Sequence, residues 1–333
     1  MKLELLVQTS ADVAATPGRL EKIAKLAALF AQAAPDEIAV AIGFLTGWPR
    51  QGKLGVGWAQ VSDARDHPPA TEATLQLLDV DARFDELKTV RGKNSASERA
   101  RIVGELFSRA TSAEQQFLAG MIVGEVRQGA LEGVLLEAIA KAANLPAASL
   151  RRAVMMAGDL GAVAQAVLSG GGEGVLAQYS LELFRPVQPM LADSAETVED
   201  ALKEADGAVA IEWKLDGARI QVHRRGDRVA VYTRNLNDVT ARVPEVVDAV
   251  RALPAHELIL DGEVIALSPE GKPYSFQTTM RRFGRRLDVD ALRAELPLTP
   301  VFFDVLFHDG ESVIDAPLSE RIQRLDRIVP TAS

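Results

Sequence analysis

The apolar residues of this chain change their spacing once, and that change requires two different kinds of domain. Up to about residue 157 they recur at helical intervals: Leu20, Ile23, Ala24, Ala27 and Ala31; Ile102, Val103, Leu106 and Phe107; Phe117, Leu118, Met121 and Ile122; Val134, Leu135, Ala138 and Ile139. Side chains three and four apart share one face of a helix, so each set predicts an amphipathic helix. From about residue 208 the period becomes two. Segments 208–213, 218–223 and 228–232 read as strands joined by turns at Asp216-Gly217 and Arg225-Gly226-Asp227, with further strands over 257–267 and 300–307 and a helix over 243–253. The organisation predicted is an all-helical domain over 1–180 followed by an α+β domain of antiparallel sheets and helices over 181–333.

Local signals punctuate this plan. Ser95-Ala96-Ser97-Glu98 and Thr111-Ser112-Ala113-Glu114 read as capping boxes, in which a hydroxyl and a glutamate each satisfy an orphan amide at a helix start. A break at Asn144-Leu145-Pro146 precedes a helix through Leu150, Val154 and Ala157. It reads as an ordinary helical hairpin, or as a helix-turn-helix with Arg151 and Arg152 toward base edges. Ser169-Gly170-Gly171-Gly172-Glu173-Gly174 lacks the Lys-Ser/Thr of a phosphate loop and reads as a linker or loop. Phe184-Arg185-Pro186-Val187-Gln188-Pro189 predicts an extended opening to the second domain.

The chemistry concentrates in Ile211-Glu212-Trp213-Lys214-Leu215-Asp216-Gly217-Ala218-Arg219. A free lysine has a pKa of about 10.4 and is almost wholly ammonium at neutral pH; desolvation or nearby cations make it a nucleophile. Ile211, Trp213 and Leu215 are placed to desolvate Lys214, Gly217 allows backbone close to a ligand, and Arg219 offers a fixed cation. This run resembles the nucleotidyl-transfer motif Lys-x-Asp-Gly-x-Arg of ATP-dependent DNA ligases, RNA ligases and mRNA capping enzymes. Companion segments follow in the family's order: Tyr232-Thr233-Arg234-Asn235, Leu260-Asp261-Gly262-Glu263 and Val301-Phe302-Phe303-Asp304-Val305.

The resemblance implies an ATP-grasp-like adenylation (nucleotidyltransferase) domain with ATP and Mg2+ as its ligands. Lys214 would be the adenylated residue, Glu212 the reader of the adenine edge, Arg219 the ribose and phosphate contact, and Phe303 the ring that stacks on adenine. Arg234 would lie near ribose or DNA phosphate, and Glu263 near ribose or a metal; Asp216 is also read as structural. The segment 117–136 resembles the helical DNA-binding domain of many ATP-dependent DNA ligases, with Arg127 and Gln128 as DNA contacts or helix caps. Segment 276–283 resembles a family segment after the third motif, making Arg281 and Arg282, with Arg285 and Arg286 beside them, phosphate contacts. Arg219, His223, Arg224, Arg225 and Arg228 crowd one hairpin, either as a solvated face or, through Arg224, as a DNA contact.

Net charge is −9, against the basic balance usual for a DNA-binding protein, so any cationic surface must be local. There is no cysteine, which excludes disulfides and thiolate metal sites. No apolar run approaches the roughly 18 residues of a membrane span, and no signal peptide is evident. The expectation is a cytoplasmic, nucleoid-associated monomer that acts on nicked double-stranded DNA through a lysine-AMP intermediate, in repair, replication or recombination, without a membrane. The family's later Glu-Gly-apolar segment, Lys-x-Lys strand and C-terminal OB-fold have no counterpart before Ser333, which predicts a C-terminally truncated ligase of impaired activity. Two alternatives stay open: a non-catalytic nicked-DNA-binding protein, and an RNA ligase or capping-type enzyme. An NAD-dependent ligase is disfavoured by the helical domain that stands where its nicotinamide-binding module would lie.

Overall fold

Apolar stripes of helical period fold residues 1–179 into a helical body. In the computed structural model, which describes residues 1–333 except 125–131, 191–193, 206–207, 269, 285–288 and 330–333, the chain divides into two units, Met1–Tyr179 and Ser180–Ser333. The described helices of the first are α1 (Leu3–Ala15), α2 (Arg19–Phe30), α3 (Pro35–Thr46), α4 (Trp58–Arg65), α5 (Leu77–Thr89), α6 (Ser95–Ser108), α7 (Ser112–Val123), α8 (Glu132–Ala142), α9 (Ala147–Ala157) and α10 (Leu160–Ala166). Their shared core includes Leu6, Leu26, Phe30, Phe44, Phe84, Phe107, Leu135 and Ile139. The predicted stripe of α2 is out of phase: Ile23, Leu26, Ala27, Leu29 and Phe30 are buried, whereas Leu20 is 79% exposed.

Of the two predicted capping boxes, one forms. The Thr111 amide donates to Glu114 Oε2 at 2.8 Å and the Glu114 amide donates to Thr111 Oγ1 at 3.4 Å. At α6 the cap is Asn94, which makes no side-chain bond. Glu98 is taken instead by Arg101, 2.6 Å away, because a guanidinium outcompetes a backbone amide for a carboxylate. The glycine stretch is not a linker. It lies within the first unit as a loop: the backbone leaves the helical conformation at Ser169 and Gly170, a 3-10 turn follows over Glu173–Gln178, and a Cβ on Gly171 would lie 2.7 Å from the Ala166 carbonyl oxygen.

The second unit carries an antiparallel sheet of β1 (Ala218–Arg225), β2 (Arg228–Thr233), β3 (Glu257–Ala266), β4 (Leu298–His308) and β5 (Glu311–Ser312), in the order β2-β1-β3-β4-β5. The described helices around it are α11 (Val198–Glu204), α12 (Pro244–Arg251), α13 (Phe276–Gly284), α14 (Val289–Glu295) and α15 (Leu318–Ile328). Arg225 pairs with Arg228 across a two-residue hairpin loop, and Gly226 takes the positive φ of +55° that its first position demands. Val246, Val247 and Val250 of α12 pack with Ile220, Val222 and Val231, and Leu325 and Ile328 of α15 pack with Leu258, Leu260 and Val305.

The predicted strand over 208–213 is not formed. Alternation specifies which side chains share a face, but a strand also needs a backbone to pair with. β1 begins only at Ala218, with β2 and β3 already on its two edges. Ile211 and Trp213 are consequently 90% and 94% exposed. No helix among the described residues is long and apolar enough to cross a membrane.

Candidate functional site

A cleft of about 1110 Å³ opens beside the start of β1 and the middle of β3 and β4. Its walls are the segment 212–219, residues 233–235 after β2, Glu263 of β3, residues 301–303 of β4, and side chains of α13 and α15. Glu212, Lys214, Arg219, Arg234, Glu263 and Phe303 all line it. Residues drawn from positions as far apart as 212 and 303 meet because β1, β3 and β4 are neighbours in the sheet.

Arg219 and Glu263 are cross-strand partners in the β1–β3 register, and Asp261 lies two residues from Glu263 on the same face. Asp261 accepts both Nε and an Nη of Arg219, at 3.1 and 2.7 Å. That charged hydrogen bond raises the Arg219 guanidinium above its ordinary pKa, against the opposing effect of burial. The guanidinium also stands 5.7 Å from the centre of the Phe303 ring. Two of its five donors being spent on Asp261, Arg219 keeps others for a ligand. Asp261 is not among the residues singled out from the sequence, although the alternation signal for it is present there: of two carboxylates two apart on one strand, both face the same way.

Burial pushes the Glu263 carboxyl up, partly offset by the Gly217 amide, which donates to Glu263 Oε1 at 3.1 Å. Gly217 is required for close approach, since a Cβ there would lie 2.3 Å from the Val264 carbonyl oxygen. Among the described residues no cluster of three metal-ligating side chains exists. The half-buried Glu263 carboxylate nevertheless suits Mg2+ that arrives on phosphates and takes one or two protein carboxylates.

Lys214 departs from the sequence reading. Its side chain is 89% exposed, with Nζ 4.0 Å from Asp216 Oδ1. The unpaired segment 208–216 carries the amine into water, and Trp213, expected to cover it, is itself in solvent. Glu212 and Arg234 are exposed at the rim; Phe303 is half-buried.

Two of the expected DNA-binding arginines, Arg224 and Arg282, are engaged inside the fold. Arg224 donates to the carbonyls of Gly226, Val250 and Leu253, closing the C-terminal end of α12. Arg282 is 1% exposed and pairs with Glu245 at 3.0 Å while donating to the Arg242 carbonyl at 2.8 Å. In the hairpin, Arg225 pairs with Glu257 at 2.6 Å and Arg228 lies 3.8 Å from the centre of the Phe184 ring. His223 is fully buried, and desolvation lowers its pKa to about 3. Charge density along a sequence does not reveal such partners. Arg281 stays exposed. Arg127 and Gln128, with Arg285 and Arg286, lie outside the described residues.

Residues 189–333 match the family model of the ATP dependent DNA ligase domain, and residues 51–140 that of the DNA ligase N terminus. A probable DNA ligase of Anaeromyxobacter sp. is 52% identical over 333 residues, 100% of this chain and 64% of that protein. DNA ligase B of Mycobacterium tuberculosis is 48% identical over 332 residues, 99% of this chain and 64% of that protein. The chain thus spans about 64% of the length of these relatives. A solved structure named Pmar-Lig_Pre, 16% identical, is similar in fold across 97% of this chain and 62% of its own, with a TM-score of 0.51.

Proposed function

This chain belongs to the ATP-dependent DNA ligase family, and from that premise we propose that the cleft binds ATP and that Lys214 takes up AMP, the step that prepares the sealing of nicks in duplex DNA. The observation that carries this reading is the convergence of Lys214, Arg219, Glu263 and Phe303 on one cleft.

In the proposed step the deprotonated Lys214 nitrogen attacks the α-phosphorus of ATP. An N–P bond forms, the bond to the bridging oxygen of pyrophosphate breaks, and the amine's proton passes to solvent. Phe303 offers adenine a flat apolar face, and Glu212 at the rim accepts from the exocyclic amine. Arg219, fixed by Asp261, points its remaining donors at ribose and phosphate oxygens. Docking of 208–216 over the bound nucleotide supplies the desolvation of Lys214 that the free segment lacks. Glu263 would hold Mg2+, which supplies charge neutralisation on the phosphates when bound. The AMP then passes to a 5′-phosphate at a nick, and the adjoining 3′-hydroxyl displaces it. The match of residues 51–140 to a DNA ligase N terminus supports DNA over RNA as the polynucleotide. We assign the activity to a monomer in replication, repair or recombination.

Incubation with α-labelled ATP and Mg2+ tests the chemistry. Label should attach to the chain and fall to background in Lys214→Ala; equal labelling of that variant, or no labelling of the wild type even when the C-terminal part of a related ligase is added, contradicts the reading.

A further inference from the structure

Helix α13 carries one apolar stripe, Phe276, Met280 and Phe283, spaced i, i+4 and i+7. Only one end of that stripe is covered. Phe283 is buried in the core with Ile220, Val264 and Leu298, whereas Phe276 and Met280 run on into the cleft and stay 43% and 40% exposed. The helix that carries them is fixed. Arg282 is held by Glu245 and by the Arg242 carbonyl, and the buried Thr279 hydroxyl accepts the Ala266 amide of β3 at 3.4 Å. Two large apolar side chains therefore stand at a set place in the cleft wall, and none of the nucleotide contacts proposed above uses them.

The segment 212–216 lines the same cleft and has the complementary need. It is tethered at Gly217, whose amide donates to Glu263 and whose Cα lies against the Val264 carbonyl with no room for a side chain. Successive side chains of an extended chain point to opposite sides, so Glu212 and Lys214 share one side and Trp213 and Leu215 the other. The side of Glu212 and Lys214 belongs with the nucleotide. The other side needs an apolar surface, since an indole left in water does nothing to hold the segment in place. Leu215, next to the tether, is already half-buried, while Trp213, farther out, is exposed. On α13, Phe276 offers that indole a ring and Met280 an adaptable thioether.

We propose that Phe276 and Met280 are positioning residues for the adenylation step: they receive the indole of Trp213, and that contact turns Lys214 and Glu212 toward the nucleotide. The proposal rests on the reading of the cleft as the ATP site and names the surface on which the lysine-bearing segment closes. Contact between Trp213 and α13 also excludes water from the side of the segment away from the nucleotide, which favours the neutral amine that attacks phosphorus.

The chain has three tryptophans, so Trp48→Phe with Trp58→Phe leaves Trp213 as the sole reporter in the full chain. Its emission and its quenching by acrylamide are measured with ATP and Mg2+, with a nicked duplex alone, and with neither, beside the rate of Lys214 labelling. ATP and Mg2+ should shift the emission to the blue and lower the quenching constant roughly twofold or more, as the indole leaves water. Phe276→Gln with Met280→Gln should abolish both changes and slow labelling by about tenfold or more. The maximal rate should fall by more than the half-saturating ATP concentration rises, because the group displaced is the nucleophile. Phe276→Leu with Met280→Leu keeps an apolar wall and should restore protection and rate. The tryptophan readout with α13 unaltered decides the matter even if the glutamine variant does not fold. A Trp213 equally open to quencher with ATP, protection by nicked DNA without ATP, full-rate labelling of the glutamine variant, or no rescue by leucine overturns the proposal. Labelling of Lys214 with Trp213 still open defeats the α13 contact alone, and a protected Trp213 without AMP on Lys214 defeats the lysine reading alone.

Discussion

Arg219 is held in the cleft by a carboxylate that lies mostly out of water, and this makes Asp261 the residue whose loss should be felt most selectively. Its side chain is 10% exposed and that of Arg219 28%. Asp261→Asn keeps the shape but removes the charge, so Arg219 loses its anchor beside Phe303. We predict a raised Kd for ATP in equilibrium binding and a stability loss of roughly 1–3 kcal/mol in urea unfolding, since one charge of a hydrogen-bonded pair is left without its partner; unchanged ATP affinity would show that Arg219 needs no anchoring. His223 gives a second prediction. The Phe184 amide donates to His223 Nδ1 at 2.8 Å, so the ring proton sits on Nε2, 2.9 Å from Gln221 Oε1. A protonated ring would put a hydrogen against that amide, and its folded pKa of about 3 lies below the ordinary 6.5. The unfolded chain therefore binds more protons than the folded one between these values, and stability must fall as pH drops below about 6.5, by up to about 1.4 kcal/mol per pH unit. Urea midpoints of wild type and His223→Asn should converge between pH 6.5 and 5; parallel profiles would contradict this. Sequence alone puts His223 in a cationic cluster because proximity in the chain does not disclose burial.

At the level of elements, features that depend on near neighbours are legible in the sequence and features that need a distant partner are not. The helical stripes, the hairpin at Gly226 and the box at Thr111 depend on residues a few positions apart. The segment 208–213 has an equally clear alternation but no pairing backbone, and α13 hides Arg282 against Glu245 of α12. The two helix starts separate these cases experimentally. Thr111→Ala should cost about 1 kcal/mol of stability, because its hydroxyl caps α7, whereas Ser95→Ala should cost only a few tenths, because α6 does not use that hydroxyl. Thermal unfolding of both variants checks the difference; equal losses would show that the Ser95 box forms in solution. α15 is a further element that the cleft depends on. Arg321 ties it to Asp304 of β4 at 2.8 Å, which sets Ile322, Leu325 and Asp326 in the wall.

For the molecule as a whole, the order of short motifs is more legible than any single residue's environment, because a fold that brings β1, β3 and β4 together needs those motifs in that order. The cleft is therefore foreseeable as a set of positions, but the water around Lys214 is not, since desolvation is a property of packing. Charge behaves in the same way: a total of −9 does not say where cations stand free, and in the arginine-rich hairpin Arg225 is taken by Glu257. The central claim is that the Lys214 amine is the group that forms the bond with ATP. Digestion of the chain after incubation with ATP and Mg2+, followed by mass spectrometry, should find the mass of AMP on the peptide containing Lys214 and on no other lysine. AMP on a different residue, or on the same peptide in Lys214→Ala, would contradict the account.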